Sequence, residues 1–167
     1  SGQGLSTENS NLRHHRQASP NRRKQFLMQT VKTVLVLCTG NSCRSQMAEA
    51  ILNHDLAPAV RALSAGTRPQ PMVAEGAIEV LKRAGLPTEG LRPKDVEAVM
   101  NEAIDLVVTV CDNAKESCPI FPRPVPLLHL PFHDPHGEPL ASFEAVRDEI
   151  RARMLPAVRQ ALGLEVA

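Results

Sequence analysis

Within "VLVLCTGNSCRSQMAE", Val34 to Glu49, an apolar run ends on Cys38, and Arg44 follows after five small or polar residues. A thiol and a guanidinium at that spacing can do nucleophilic chemistry on an oxyanion. Arg44 presents a planar fork able to hold two oxygens of a tetrahedral anion, which a lysine binds only as a point charge. Thr39, Gly40, Asn41, Ser42, Cys43 and Ser45 suit a tight turn whose successive N–H groups converge as an anion cradle at a helix N-terminus. Gly40 and Asn41 tolerate the positive φ that such a curl needs. In that field Cys38 is expected to ionise well below the free thiol value of about 8.5 and to rest as a thiolate. Ser45 is expected to donate a hydrogen bond to it or to a leaving sulfur. The glycine-lysine-serine ending of a nucleotide-binding loop is absent. A buried strand-end cysteine is the plainer reading, but the turn, the arginine and the placement after a strand agree on a reactive one.

Such a loop works only if a strand delivers Cys38 to a sheet edge and a helix begins at Arg44. "KTVLVLC" supplies the strand, and a helix is expected from Arg44 to about His54. "VRALSA" reads as a second strand. A helix from Met72 to Ala84 follows, with Val73, Ala77, Val80, Leu81 and Ala84 on one face and Gly85 as its stop. A shorter helix from Pro93 carries Val96, Val99 and Met100 inward. Asp105 to Val110 and Leu127 to Leu130 read as the third and fourth strands. A last helix aligns Phe143, Val146, Ile150, Met154 and Val158, and Pro156 is expected to kink or end it. Nearly all-apolar strands separated by helices imply a parallel sheet covered on both faces, with right-handed crossovers. In such sheets ligands gather where strand ends meet helix starts, and the loop after the first strand is the usual place. Seven of the fourteen prolines lie between Pro119 and Pro139, marking an irregular loop of the length that is usually functional.

The chain has 167 residues and 43% apolar content, enough for one domain with a real core. Net charge is +1, but Ser1–Thr30 holds five bases and one acid, leaving 14 bases and 17 acids elsewhere. The remainder is mildly acidic, so a basic nucleic-acid face is not indicated. Residues 1–30 read as a disordered basic extension, 31–162 as a single α/β domain and 163–167 as a short tail. No apolar segment approaches the roughly 18 residues of a membrane span, and no secretory signal is recognisable. Neither nucleic acid nor membrane is an expected partner, and a cytoplasmic location is expected. Four cysteines in a reducing compartment suggest reactive thiols over structural disulfides.

"CTGNSCRS" resembles the cysteine, five residues, arginine pattern of the low-molecular-weight protein tyrosine phosphatase family, and "LCTGNSCRSQMAEA" is especially similar to the thioredoxin-coupled arsenate reductases built on that fold. "SAGT", "DLVVTVCDNAKESCP" and "FHDPHG" resemble family segments in the same order, from about Lys32 to Gln160. The resemblance implies a four-stranded parallel sheet in the order 2-1-3-4. Phosphatase and reductase share the cradle, Cys38 and Arg44, so other residues decide. Cys111 ends the third strand, where its sulfur emerges beside Cys38, and Cys118 lies seven residues on; three thiols permit a relay that ester hydrolysis does not need. Selection of phosphotyrosine requires aromatic walls, yet the chain has no Tyr, no Trp and only four Phe. Asp134-Pro135 is followed by His136-Gly137, where the phosphatases resemble one another in carrying tyrosines.

The mechanism implied by the resemblance has Cys38 attack arsenate while Asp134 protonates the departing oxygen. Cys111 then attacks Cys38, arsenite leaves, and Cys118 draws the disulfide outward for thioredoxin to reduce. Phosphate or sulfate is expected to fit the same loop. That relay requires the segment 111–118 to rearrange, and "DNAKE" is polar and short enough to unwind. Cys43 resembles a family position whose thiol is dispensable. A zinc site from Cys38, Cys43, Cys111 and Cys118 has the wrong spacing and would sit against Arg44, so no metal catalysis is expected, and His129, His133 and His136 read as loop residues. No cofactor is required. Some relatives bind potassium with an asparagine and a glutamate that match Asn41 and Glu49; Asp95 matches a further ligand, but Pro93 stands where a hydroxyl residue is expected. The chain is expected to be a monomer. Two other functions fit part of the pattern: a phosphatase acting on phosphotyrosine or a small phosphate ester, and a non-catalytic thiol module that sequesters arsenite or a soft metal.

Overall fold

The structure, a computed structural model, describes residues 31–116 and 118–164. The basic extension at residues 1–30 and the end of the tail lie outside the described residues. Strand β1 (Lys32–Cys38) is buried from Thr33 onward, as an apolar run without alternation demands: it must have strands on both sides and cover on both faces. It pairs in parallel with β2 (Val60–Gly66), from Lys32 opposite Val60 to Cys38 opposite Gly66. On its other side it pairs with β3 (Leu106–Thr109), from Val34 opposite Leu106 to Leu37 opposite Thr109. β4 (Leu127–His129) lies outside β3, which completes the expected four-stranded order β2-β1-β3-β4. The register continues past β3 because Val110 N–H donates to the Leu37 carbonyl at 3.1 Å. Cys111 therefore leaves the sheet at the same edge as Cys38.

Among the described residues there are four α-helices: α1 (Arg44–Asp55), α2 (Glu75–Arg83), α3 (Asp112–Glu116) and, after the last strand, α4 (Leu140–Ala161). α1 is buried continuously from Ser45 to Leu52 because it lies against β1 and β2 and under both α2 and α4. Gly76 lets α2 approach α4, since a Cβ there would stand 2.8 Å from the Phe143 ring. Among the described residues no helix is long and apolar enough to cross a membrane.

Three elements depart from the sequence reading. α2 begins at Glu75 instead of Met72, which is exposed; the chain before it is held extended by Ala74 N–H donating to the Ser42 carbonyl at 2.8 Å. The helix expected from Pro93 is only a 3-10 turn, Val96–Ala98. Its approach is fixed as extended backbone, because Gly66 bonds to the Lys94 carbonyl and bridges to Asp95. Val96 and Val99 are buried as expected, while Met100 is half-buried. Finally, α4 does not end at Pro156 but runs on to Ala161. Proline removes the bond to the Ala152 carbonyl, yet Met154 and Val158 on either side are fully buried, and that burial holds the chain in line. Gly163, at φ 66°, and a bond from Leu164 N–H to the Arg159 carbonyl close the helix.

Candidate active site

The loop from Cys38 to Arg44 joins β1 to α1. The carbonyls of Thr39 to Ser42 are turned outward. Those of Thr39, Gly40 and Ser42 accept from the N–H groups of Arg68, Gln70 and Ala74 at 2.9, 2.8 and 2.8 Å, and that of Asn41 accepts from Gln46 Nε2 at 2.8 Å. Because a trans peptide points its N–H opposite to its carbonyl, the N–H groups of Gly40, Asn41, Ser42 and Cys43 face inward. Asn41, not Gly40, supplies the left-handed residue of the curl, at φ 48°. Its buried side chain fixes that conformation: Nδ2 donates to Ser45 Oγ at 2.8 Å and Ser64 Oγ at 2.9 Å, and Oδ1 accepts from Lys94 N–H at 2.8 Å. Gly66 allows the close approach, since a Cβ there would meet the Thr39 carbonyl oxygen at 2.5 Å. The N-cap of α1 is Cys43, with no side-chain cap and no acid in the first turn, so the helix start is open to an anion.

Arg44 lies across this ring. Its Nη1 donates to the Phe132 carbonyl at 3.0 Å and its Nη2 stands 3.6 Å from Asp134 Oδ2. Its buried Nε has no partner among the described residues, which fits a donor waiting for an oxyanion. Asp134 is 53% exposed at the mouth, and its Oδ1 accepts the His136 N–H at 3.1 Å. The cleft, about 560 Å³, is lined by residues 38–44 together with Gln70, Cys111, Asp112, Asn113, Asp134 and His136. Gln70, Asp112, Asn113 and His136 were not among the expected site residues. Each belongs to a segment leaving the carboxyl edge of the sheet or the proline-rich loop, which is the one signal the sequence offered. Among the described residues no phenylalanine lines the cleft.

Cys38 and Cys111 both line the cleft as free thiols, and Thr39 Oγ1 lies 3.4 Å from Cys111 Sγ. The expected resting thiolate on Cys38 is corrected by this pair. The neighbouring Cys111 sulfur is the largest cause raising the Cys38 thiol, burial adds to it, and Arg44 opposes both. The Cys38 sulfur is in turn the largest cause lowering Cys111, to about 5, with Thr39 also contributing. The two thiols therefore titrate as a pair, the Cys38 thiol favouring the thiolate of Cys111. Ser45 Oγ accepts from Asn41 Nδ2 and so stabilises the turn. Cys43 is pushed up to about 12, chiefly by burial and then by Asp134, in keeping with a structural place in the loop.

Cys118 is not brought to this cleft. It is half-buried against the proline-rich loop, and burial raises its thiol. Between it and Cys111 stands α3, fastened by Lys115 N–H to the Cys111 carbonyl at 3.2 Å and by His129 Nε2 to Asp112 Oδ1 at 3.1 Å. His129 is anchored in turn by Thr109 Oγ1 at 2.7 Å. His133 pairs with Glu138, and His136 lies at the cleft mouth. Among the described residues no three His, Cys, Asp or Glu side chains converge as a metal site. Of the residues matched to potassium ligands, Asn41 lies in the turn and Glu49 is 8% exposed behind it. Asp95 instead caps the 3-10 turn, its Oδ1 accepting Glu97 N–H at 3.0 Å.

Comparison with known proteins places this geometry. The low molecular weight phosphotyrosine protein phosphatase family matches residues 33–165. An arsenate reductase of Brevibacillus brevis is 39% identical over 127 residues, which cover 76% of this chain and 94% of that protein. The crystal structure of an arsenate reductase from Archaeoglobus fulgidus superposes with a TM-score of 0.63 at 32% identity, covering 78% of this chain and 98% of the other. A low molecular weight protein tyrosine phosphatase from T. tengcongensis superposes with a TM-score of 0.67 at 27% identity, covering 77% and 99%. Fold, cradle and sequence agree: the chain belongs to the low molecular weight phosphotyrosine protein phosphatase family, with arsenate reductases among its relatives.

Proposed function

We propose that this chain reduces arsenate to arsenite through Cys38, Cys111 and Cys118 and is returned to its dithiol state by thioredoxin. The observation that carries the reading is the second thiol at the cradle: Cys111 lines the same cleft as Cys38, its sulfur 3.4 Å from Thr39 Oγ1. A hydrolase needs no sulfur there, whereas a reductase needs one within attacking distance of the first.

Arsenate enters the ring of N–H groups and pairs with Arg44, satisfying the buried Nε. A proton passes from Cys38 to Cys111, so the negative charge sits where Arg44 and the loop amides favour it. Cys38 Sγ attacks arsenic, and an oxygen departs as water with a proton from Asp134. Cys111 releases its proton through the open cleft and attacks Cys38 Sγ. An S–S bond forms, the S–As bond breaks, and its electron pair stays on arsenic, which leaves as arsenite. The two thiols have lost two electrons and arsenic has gained two. Cys118 then attacks Cys111, frees Cys38, and carries the disulfide to the surface for exchange with an external dithiol. The last transfer needs α3 to unwind: its five helical residues rise about 7.5 Å between the two cysteines, whereas a disulfide holds Cα atoms only about 4.4 to 6.8 Å apart.

The test is arsenate-dependent oxidation of reduced thioredoxin by the purified chain. Cys118→Ser is expected to complete about one turnover and to accumulate a Cys38–Cys111 disulfide, read by mass spectrometry of peptides; sustained turnover by that variant removes Cys118 from the scheme. Arsenite binding without consumption of reductant would favour a sequestering module. A second reading, hydrolysis of small phosphate esters, is favoured by the cradle and by Asp134 beside Arg44. Both activities require Cys38, so Cys38→Ser is expected to abolish each.

A further inference from the structure

We infer that Lys94 is a positioning residue, whose ammonium serves as the built-in cation behind the oxyanion cradle and takes the place of the potassium ion that Asn41 and Glu49 would otherwise share. The inference rests on the loop being an oxyanion cradle, not on arsenate being reduced there. Glu49 is a nearly buried carboxylate, and such a charge persists only with a partner. Its Oε1 accepts from Ser64 Oγ at 3.1 Å and lies 3.5 Å from Lys94 Nζ. The Lys94 side chain is itself only 12% exposed, and Nζ also donates to the Arg92 carbonyl at 2.9 Å.

Donors converge on the Glu49 carboxylate from two sides. Lys94 Nζ compensates Glu49, Glu49 orients the Ser64 hydroxyl, and Ser64 Oγ accepts from Asn41 Nδ2. The same lysine holds Asn41 from the other side, its N–H donating to Oδ1 at 2.8 Å. Asn41 is the residue in the left-handed conformation that curls the loop. A second cation beside Glu49 would meet an ammonium already there, while Asp95 spends one carboxylate oxygen on Glu97 N–H. Lys94 thus acts on the cradle through Asn41, without touching the anion.

Binding of inorganic phosphate, measured by calorimetry in potassium chloride, sodium chloride and choline chloride at equal ionic strength, tests this without any turnover. The unmodified chain is expected to bind equally in all three. Lys94→Met should bind about 10- to 100-fold more weakly in choline chloride and recover at least part of that loss in a small alkali cation. Glu49→Gln/Lys94→Met, which leaves no unpaired charge, should fold and show no cation response. Potassium-specific tightening in the unmodified chain overturns the inference, as does undiminished binding or absent cation rescue in a folded Lys94→Met. If Lys94→Met folds in none of the salts, the double variant decides: its folding supports the inference and its failure overturns it.

Discussion

The coupled titration of Cys38 and Cys111 sets when the cleft becomes reactive. The depressed value belongs to the pair, so the thiolate is absent well below about 5 and present above it. A titration of thiolate ultraviolet absorbance is expected to show one thiolate appearing near that pH in the full chain. Cys38→Ala removes the neighbouring sulfur that lowers Cys111 most, so the Cys111 transition should move up toward the ordinary thiol range. An unchanged midpoint would mean that Thr39 alone holds the charge. Cys38, Arg44 and the curl were legible in the sequence because their chemistry depends on spacing along the chain. The coupled titration was not, since it arises between residues 38 and 111, and nothing local marks Lys94 as the partner of Glu49.

At the level of elements, the cradle is as much a product of what lies behind it as of its own residues. The segment 68–74 draws three loop carbonyls outward, and β2 ends on Gly66 where a methyl group would collide with Thr39. Gly66→Ala is expected to displace the loop by a few tenths of an ångström or more and to cost about a hundredfold in kcat/KM, with the thermal midpoint changed far less than activity. Equal activity would show that the loop can give way without losing its aim. The strands were legible because uninterrupted apolar runs between helices allow few arrangements. The helix expected at Pro93 was not, because an extended pairing of Lys94 with Gly66 outcompeted local propensity, and at Pro156 the burial of Met154 and Val158 outweighed the missing hydrogen bond.

Across the whole molecule, α4 gathers the other layers. Arg151 grips Asp55 at the end of α1 with two bonds of 2.8 and 3.0 Å, and Arg147 donates to the Val80 carbonyl of α2 at 2.8 Å. Ile150 between them is completely buried. Ile150→Ala is expected to lower unfolding free energy by about 2 to 5 kcal/mol, measured by urea denaturation, while phosphate affinity of the folded protein stays unchanged because the cradle lies away from that helix. The helix α3 stands apart from this frame, between residues 111 and 118. In the proposed relay it would separate the inner and outer sulfurs, so the little helix would behave as a fuse in reverse, conducting only once it has melted.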